Sequence, residues 1–210
     1  HVTIPAQDFT PELMTEGIGF DASNYGYAVV EKSDMIFIPD PETAIVDPFC
    51  EIPTLSMTGN AMIIDYPENR PLSQYPRNIV LAAEKYMRDT GIADTILILP
   101  EFEFYLFDSA RWNIRSEHIS MSIDAIQAHW NSDMNGFGTV IQKQKGYHIA
   151  KPYDPTYDCR SEMCILMEEA GIPIKYHHPE VGASGQFEIE PKLGVMSKMA
   201  DATMMIKYII

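Results

Sequence analysis

Between residues 99 and 108 apolar and polar side chains alternate, with Phe102, Phe104 and Leu106 on one parity and Glu101, Glu103 and Tyr105 on the other. That period predicts a strand with one packing face, and it sends the two carboxylates, two residues apart, to the same side. From residue 78 to 90 the pattern changes: Ile79, Ala82, Ala83, Tyr86 and Met87 recur at helical spacing, which predicts an amphipathic helix closed by Gly91. A second helix is expected over 159–170, with Asp158 as N-cap, Met163, Leu166, Met167 and Ala170 on one side, and Gly171 as its stop. The mostly polar residues 109–157 read as a long excursion holding a short helix near 123–130 and a hairpin. A strand over 172–176, a turn at His177-His178-Pro179-Glu180, a strand over 186–190 and an apolar helical pattern over 200–210 complete the second half.

The first 72 residues alternate short strand patterns with turn chemistry. Val2 and Ile4 open a strand, Thr10 and Pro11 suit the N-cap and first position of a helical turn, and residues 17–27 form a Gly- and Asx-rich loop. Strand-like runs follow at 34–39, 43–47 and 60–66, and the prolines of 67–76 read as a linker. A small mixed sheet with little helix is expected. The chain starts inside an apparent strand and stops inside a helical pattern, so it reads as a piece of a longer protein.

Thirty acidic against fifteen basic residues give a net charge of −15, which argues against nucleic-acid backbones and anionic membranes as partners. A polyanion such as a nucleotide would need divalent cations here. No apolar run approaches the roughly 18 residues needed to span a bilayer, and no signal-peptide pattern opens the chain, so a cytoplasmic location is expected. The three cysteines, Cys50, Cys159 and Cys164, form neither a disulfide framework nor a zinc spacing and read as buried reduced thiols.

With charge taken into account, the strand carboxylates become candidate chemistry. Glu101 and Glu103 suit a hard divalent ion, and equally a solvated strand face. Glu188 lies between Phe187 and Ile189 in a second strand, and with Glu180 it allows a multi-acid cluster for Mg²⁺ or Mn²⁺. Glu190, at that strand's end, reads as solvated. His177 and His178 point to opposite sides of an extended segment, so at most one faces such a site, and each by itself reads as a packed or surface histidine. Asp21, in its Gly-flanked loop, reads as an N-cap or Asx-turn residue.

The segments His1-Val2-Thr3-Ile4-Pro5-Ala6, Gly19-Phe20-Asp21-Ala22-Ser23, Ser33-Asp34-Met35, Asp47-Pro48-Phe49, Pro76-Arg77, Gly91-Ile92-Ala93-Asp94, Pro100-Glu101-Phe102-Glu103-Phe104, Glu180-Val181 and Gly185-Gln186-Phe187-Glu188-Ile189, in this order and spacing, resemble type I glutamine synthetase. Ala200-Asp201 and Lys207-Tyr208 resemble the helix that follows the second acidic strand in that family. The resemblance implies an α+β fold: a β-grasp domain over residues 1–72, lacking its first strand, then the opening part of the antiparallel-sheet catalytic domain over 73–210. It implies ATP-dependent ligation of ammonium to L-glutamate through γ-glutamyl phosphate, with two Mg²⁺ or Mn²⁺ ions. By motif position Glu103, Glu180 and Glu188 would hold the ion nearer glutamate, and Glu101 the ion nearer the ATP phosphates. Asp21 matches the aspartate that helps bind and deprotonate ammonium across a subunit boundary, which implies a homo-oligomer, typically a dodecamer.

Four residues depart from the family pattern, at three places. Asp21-Ala22-Ser23-Asn24 replaces Asp-Gly-Ser-Ser, Lys175 stands where a glutamate is often associated with the nucleotide, and Pro179 replaces a frequent histidine. A ligase for a larger amine and a catalytically silent structural homologue are the alternatives. The family's remaining metal ligands and substrate-binding residues would fall after Ile210, so the 210 residues alone are expected to be inactive.

Overall fold

A computed structural model describes residues 1–131, 140–182 and 184–210, which form two compact units: 1–98 with 194–205, and 99–193 with 206–210. The first unit opens with helix α1 (Leu13–Glu16) and strands β1 (Ile18–Asp21) and β2 (Asp34–Pro39). The short pair β3 (Ile45–Val46) and β4 (Leu55–Ser56) follows, then β5 (Gly59–Ile63), β6 (Arg70–Pro71), helix α2 (Pro76–Asp89) and β7 (Leu97–Ile98). The four-stranded sheet has the order β1-β2-β5-β6 with every pairing antiparallel. Phe20, Met35 and Ile63 are cross-strand partners in one row, and they close over Ala22, Ala61 and Leu72 to make the core of this unit.

Several expectations need correction here. Residues 1–5 form no regular element, because the Val2/Ile4 alternation finds no pairing strand among the described residues. The Gly-rich loop holds strand β1, whose backbone is satisfied by β2. The proline segment holds β6, which pairs with β5 and buries Leu72 to 4% exposure, so it closes a sheet edge rather than simply linking. Helix α1 begins two residues beyond Pro11, and of the three cysteines only Cys164 is buried, Cys50 and Cys159 being exposed.

Helix α2 is tied to this sheet by its first turn. The Asn78 side chain donates to the carbonyls of Ala61 (2.7 Å) and Leu72 (3.0 Å). Arg77 donates to Asn60 (2.7 Å) and Asp201 (2.8 and 3.0 Å), and it also pairs with Asp40. Gly59 is dictated by close approach: a Cβ there would meet the Ile38 carbonyl oxygen at 2.1 Å and the Pro39 Cα at 2.8 Å. Both are backbone atoms of β2, so Gly59→Ala is expected to cost about 1–3 kcal/mol through strand displacement. Thermal unfolding checks this, and a wild-type Tm in the variant would count against it.

The second unit carries β8 (Phe102–Tyr105), the hairpin β9 (Ser109–Arg115) and β10 (His118–Asp124), helix α3 (Tyr157–Glu169), β11 (Ile174–Pro179) and β12 (Gln186–Pro191). Its main sheet is antiparallel in the order β11-β12-β8. Phe187 and Ile189 of the central strand are 1% and 0% exposed, and Met167 of α3 is fully buried. The hairpin occurs within the expected excursion, but the expected helix near 123–130 shrinks to the 3₁₀ turn His129–Asn131. The part of that excursion at 132–139, like Ala183, lies outside the described residues. The chain ends with β13 (Gly194–Val195), paired with β7, and helix α4 (Met196–Ile209). In the first unit the Glu84 carboxylate accepts from Ser197 N at 2.9 Å, satisfying a free amide of the first turn of α4. Among the described residues no helix is long and apolar enough to cross a membrane.

Candidate metal centre

The three-stranded sheet aligns the acids by register. Glu103 of β8 pairs with Glu188 of β12, and Glu188 pairs with His178 of β11, so the three side chains stand in one row on one face. The exposure pattern of β8 follows the sequence alternation, with Phe102 and Phe104 half-buried and Glu103 and Tyr105 exposed. His178 and His177 do point to opposite sides. His178 Nε2 lies 3.6 Å from Glu188, while His177 accepts from Arg160 on the other face. The predicted turn at His177–Glu180 is instead the end of β11, because the segment pairs along its length with β12.

Glu180 follows the strand, with its Oε1 at 3.4 Å from His178 Nδ1, and its backbone amide donates to the Gln186 carbonyl at 2.9 Å. The Gln186 side chain bridges the turn. It accepts from Gly182 N and donates to Glu103 Oε2, both at 2.6 Å, so the exposed Glu103 carboxylate is held in place. Gly185 has φ +94°, and a Cβ there would meet the Leu106 carbonyl oxygen at 2.7 Å, so the turn requires glycine. His178 Nδ1 lies 3.1 Å from the Pro179 carbonyl. A carbonyl only accepts, so Nδ1 donates in that contact, and Nε2 is the ring nitrogen that faces Glu188.

Two overlapping groups of potential ligand atoms result, each with its atoms within 4.8 Å of one another: His178, Glu180 and Glu188, and Glu101, Glu188 and Glu190. Glu188 is common to both and only 7% exposed. Burial pushes its carboxyl above the usual carboxylate range, and Glu180 and Glu101 add to that against the opposing influence of His178. Among the described residues no Lys or Arg forms an ion pair with Glu101, Glu103, Glu180 or Glu188. A hard oxygen-rich donor set that carries uncompensated negative charge fits Mg²⁺ or Mn²⁺.

Glu190 corrects the sequence reading. Rather than lying solvated it is 1% exposed, and Lys175 lies 2.5 Å from its Oε1. The Lys175 contact holds the Glu190 carboxyl below the usual range. Neither its burial nor its proximity to Glu101 is visible along the chain, because both depend on which strand lies alongside. Asp21 is placed in the other unit, at the end of β1, where its carboxylate accepts from Ser23 N (2.9 Å), Ser23 Oγ (2.6 Å) and Asn24 Nδ2 (2.9 Å). The Ser23 bonds hold it below the usual carboxylate range, in the cap geometry that its loop position suggests.

A cavity of about 650 Å³ shares His178 with the cluster and is lined further by Pro179, Tyr147, His148, Lys151 and Arg160. The rings of Tyr147 and His148 stack at 4.0 Å, and His148 lies 4.4 Å from His178. Arg160, 1% exposed, forms the floor: it is paired with the buried Asp154 and lies 4.5 Å over the Phe187 ring.

An antiparallel sheet that collects carboxylates on one face, joined to a small β sheet, defines an α+β protein with a candidate divalent-metal centre. The family model described as glutamine synthetase, catalytic domain, matches residues 73–210, and that described as glutamine synthetase, beta-Grasp domain, matches residues 1–63. The chain belongs to the glutamine synthetase family and has its β-grasp plus catalytic-domain fold. A glutamine synthetase of Pasteurella multocida is 39% identical over 216 residues, covering 100% of this chain and 45% of that protein. A protein of Cupriavidus pinatubonensis named 3-hydroxylaminophenol mutase is 35% identical over 215 residues, with the same coverage. In fold, the cryo-EM structure of Plasmodium falciparum glutamine synthetase superposes with a TM-score of 0.82 at 22% identity, covering 98% of this chain and 41% of that one. The chain thus spans about 45% of the length of these curated relatives.

Proposed function

We propose that the chain supplies part of the active site of an ATP-dependent glutamate–ammonia ligase. The observation that carries this reading is the cross-strand row Glu103–Glu188–His178, with Glu180 and Glu101 beside it and no Lys or Arg among the described residues to neutralise it. In this reading residues 1–72 are the β-grasp domain and 73–210 the first part of the catalytic domain. Glu103, Glu180 and Glu188 hold one divalent ion and Glu101 the other. Bound Mg²⁺ or Mn²⁺ would offset the charge that develops on the phosphoryl oxygens during transfer. The chain's own residues orient the substrates. Gln186 fixes Glu103, and His178 lies where the cavity meets the cluster, which is where we place the phosphates of ATP.

The side-chain carboxylate of glutamate attacks the γ-phosphate of ATP, the bond to the β–γ bridging oxygen breaks and ADP leaves, and ammonia then displaces phosphate from γ-glutamyl phosphate. Asp21 binds ammonium for a neighbouring subunit and takes up its proton, so the active form is a homo-oligomer, a dodecamer in this reading, acting in the cytoplasm. Association is supported by the β9–β10 hairpin, on which Trp112, Ile114, Ile119 and Met121 are 70–76% exposed.

Joining glutamate to a larger amine is the second reading, favoured by Ala22, Asn24, Lys175 and Pro179 at positions where the family pattern differs. Product formed by the full-length protein with a polyamine but not with ammonium would decide for it. A silent scaffold is disfavoured, since a structural chain gains nothing from burying Glu188 beside other acids. The purified 210-residue chain, which spans 45% of its relatives, is expected to form no γ-glutamyl hydroxamate from glutamate, ATP and hydroxylamine. Measurable ATP-dependent product would show that the site is complete within it.

A further inference from the structure

Lys175 reaches Glu190 through a local irregularity of β11. The pairing passes from Ile174 opposite Pro191 to Tyr176 opposite Glu190, so Lys175 is the extra residue of a β-bulge. Strict alternation would send Lys175 to the face opposite Tyr176 and His178. The bulge turns it back, and its Nζ lies 2.5 Å from Glu190 Oε1 and 4.7 Å from the centroid of the Tyr176 ring. Glu190 is buried, and its ligand oxygen lies within 4.8 Å of those of Glu101 and Glu188. The bulge therefore delivers one positive charge to the most buried carboxylate, beside two acids that pair with no Lys or Arg among the described residues. The Lys175 side chain is 45% exposed, so it can leave for water while the buried carboxylate stays where it is.

We propose that Glu190 is a further ligand of the divalent ion on the Glu101 side, and that Lys175 is its counter-charge in the ion-free site, displaced as the ion binds. This rests on the metal reading above and extends it to Glu190, to which the resemblance gives no role, and to a lysine that stands where the family pattern has a glutamate.

The test uses the full-length protein with Mn²⁺ alone, following free Mn²⁺ by its EPR signal and thermal unfolding with and without the ion. Glu190→Gln is expected to weaken one class of Mn²⁺ sites about tenfold or more. Lys175→Gln is expected to tighten the same class several-fold, because a competing positive charge is gone. A pair that served stability alone would lower the Tm in both variants and leave Mn²⁺ affinity unchanged in both. Wild-type affinity in both variants, or shifts of the same sign, overturns the proposal. If Glu190→Gln does not fold, Lys175→Gln decides: tightening supports the proposal, and unchanged or weaker binding overturns it. Glu188→Gln separates the two levels. Loss of Mn²⁺ in Glu188→Gln with wild-type binding in Glu190→Gln removes Glu190 and leaves the metal reading standing, whereas wild-type binding in both removes both.

Discussion

Glu188→Ala is expected to abolish tight Mn²⁺ binding, with affinity falling about a hundredfold or more, while leaving the ion-free protein as stable as wild type or more so. The two halves of this expectation have one cause. Glu188 lies on the central strand of the β11-β12-β8 sheet, between His178 and Glu103, and it belongs to both groups of potential ligands. Removing it takes an oxygen from each, and a divalent ion compensates poorly for a lost carboxylate. Without the ion, the same carboxylate is a buried charge close to Glu101 and Glu180, so its loss relieves repulsion. At a Mn²⁺ concentration a hundred times the wild-type Kd, the ion would stabilise the wild type by about 2.7 kcal/mol and the variant hardly at all. Glu103→Ala is expected to be milder, about tenfold, because Glu103 is exposed and belongs to neither close group. Calorimetric titration of the full-length protein with Mn²⁺ compares the three, and equal binding by all of them would sink the metal assignment.

Asp154→Ala is expected to cost about 3–5 kcal/mol, a fifth or more of the roughly 5–15 kcal/mol stability of a typical domain. Arg160 is 1% exposed, with Nη1 donating to Asp154 Oδ1 at 3.0 Å and Nη2 to Oδ2 at 2.5 Å. Its Nε donates to His177 Nδ1 at 3.3 Å. Truncating Asp154 strands a buried guanidinium whose remaining partners, Thr156 and His177, are neutral or weak acceptors. Replacing both partners, Asp154→Asn with Arg160→Met, is expected to recover most of the loss because no buried charge remains.

The pH dependence has a definite sign. Burial by itself would raise the Asp154 carboxyl, but the Arg160 hydrogen bond and charge outweigh it and hold the group below the usual range. A depressed native pKa contributes stability above the unfolded value of about 3.9, and that contribution is lost as pH falls through the native value. The gap in urea midpoint between wild type and Asp154→Asn should therefore be full at pH 7 and shrink below about pH 4. A gap that stays constant down to pH 3 would count against the ion pair as its source.

How much of this was legible along the chain varied with the range of the cause. Helices α2 and α3 begin within two residues of their expected starts, because apolar spacing and the stops at Gly91 and Gly171 are local signals. The hairpin β9–β10 also falls inside the expected excursion. Strand β1 was hidden in a Gly- and Asx-rich stretch that forms a strand only because β2 satisfies its backbone. The histidine segment carried turn chemistry, but pairing with β12 drew it into β11. Glu190 reads as solvated because it lies at the end of its strand pattern, and its burial follows from the strands on either side.

From sequence alone come the parity that sends Glu101 and Glu103 to one face, the rule that His177 and His178 must part, and the family motifs. The first two follow from the two-residue repeat of an extended chain, which acts between near neighbours, whereas the motifs rest on resemblance. Tertiary structure decided which histidine faces the acids, that Glu188 stands between Glu103 and His178, and that a bulge turns Lys175 towards Glu190. Cross-strand register is set by packing between segments far apart in the chain, and a slip of one residue would move every one of these side chains to the other face.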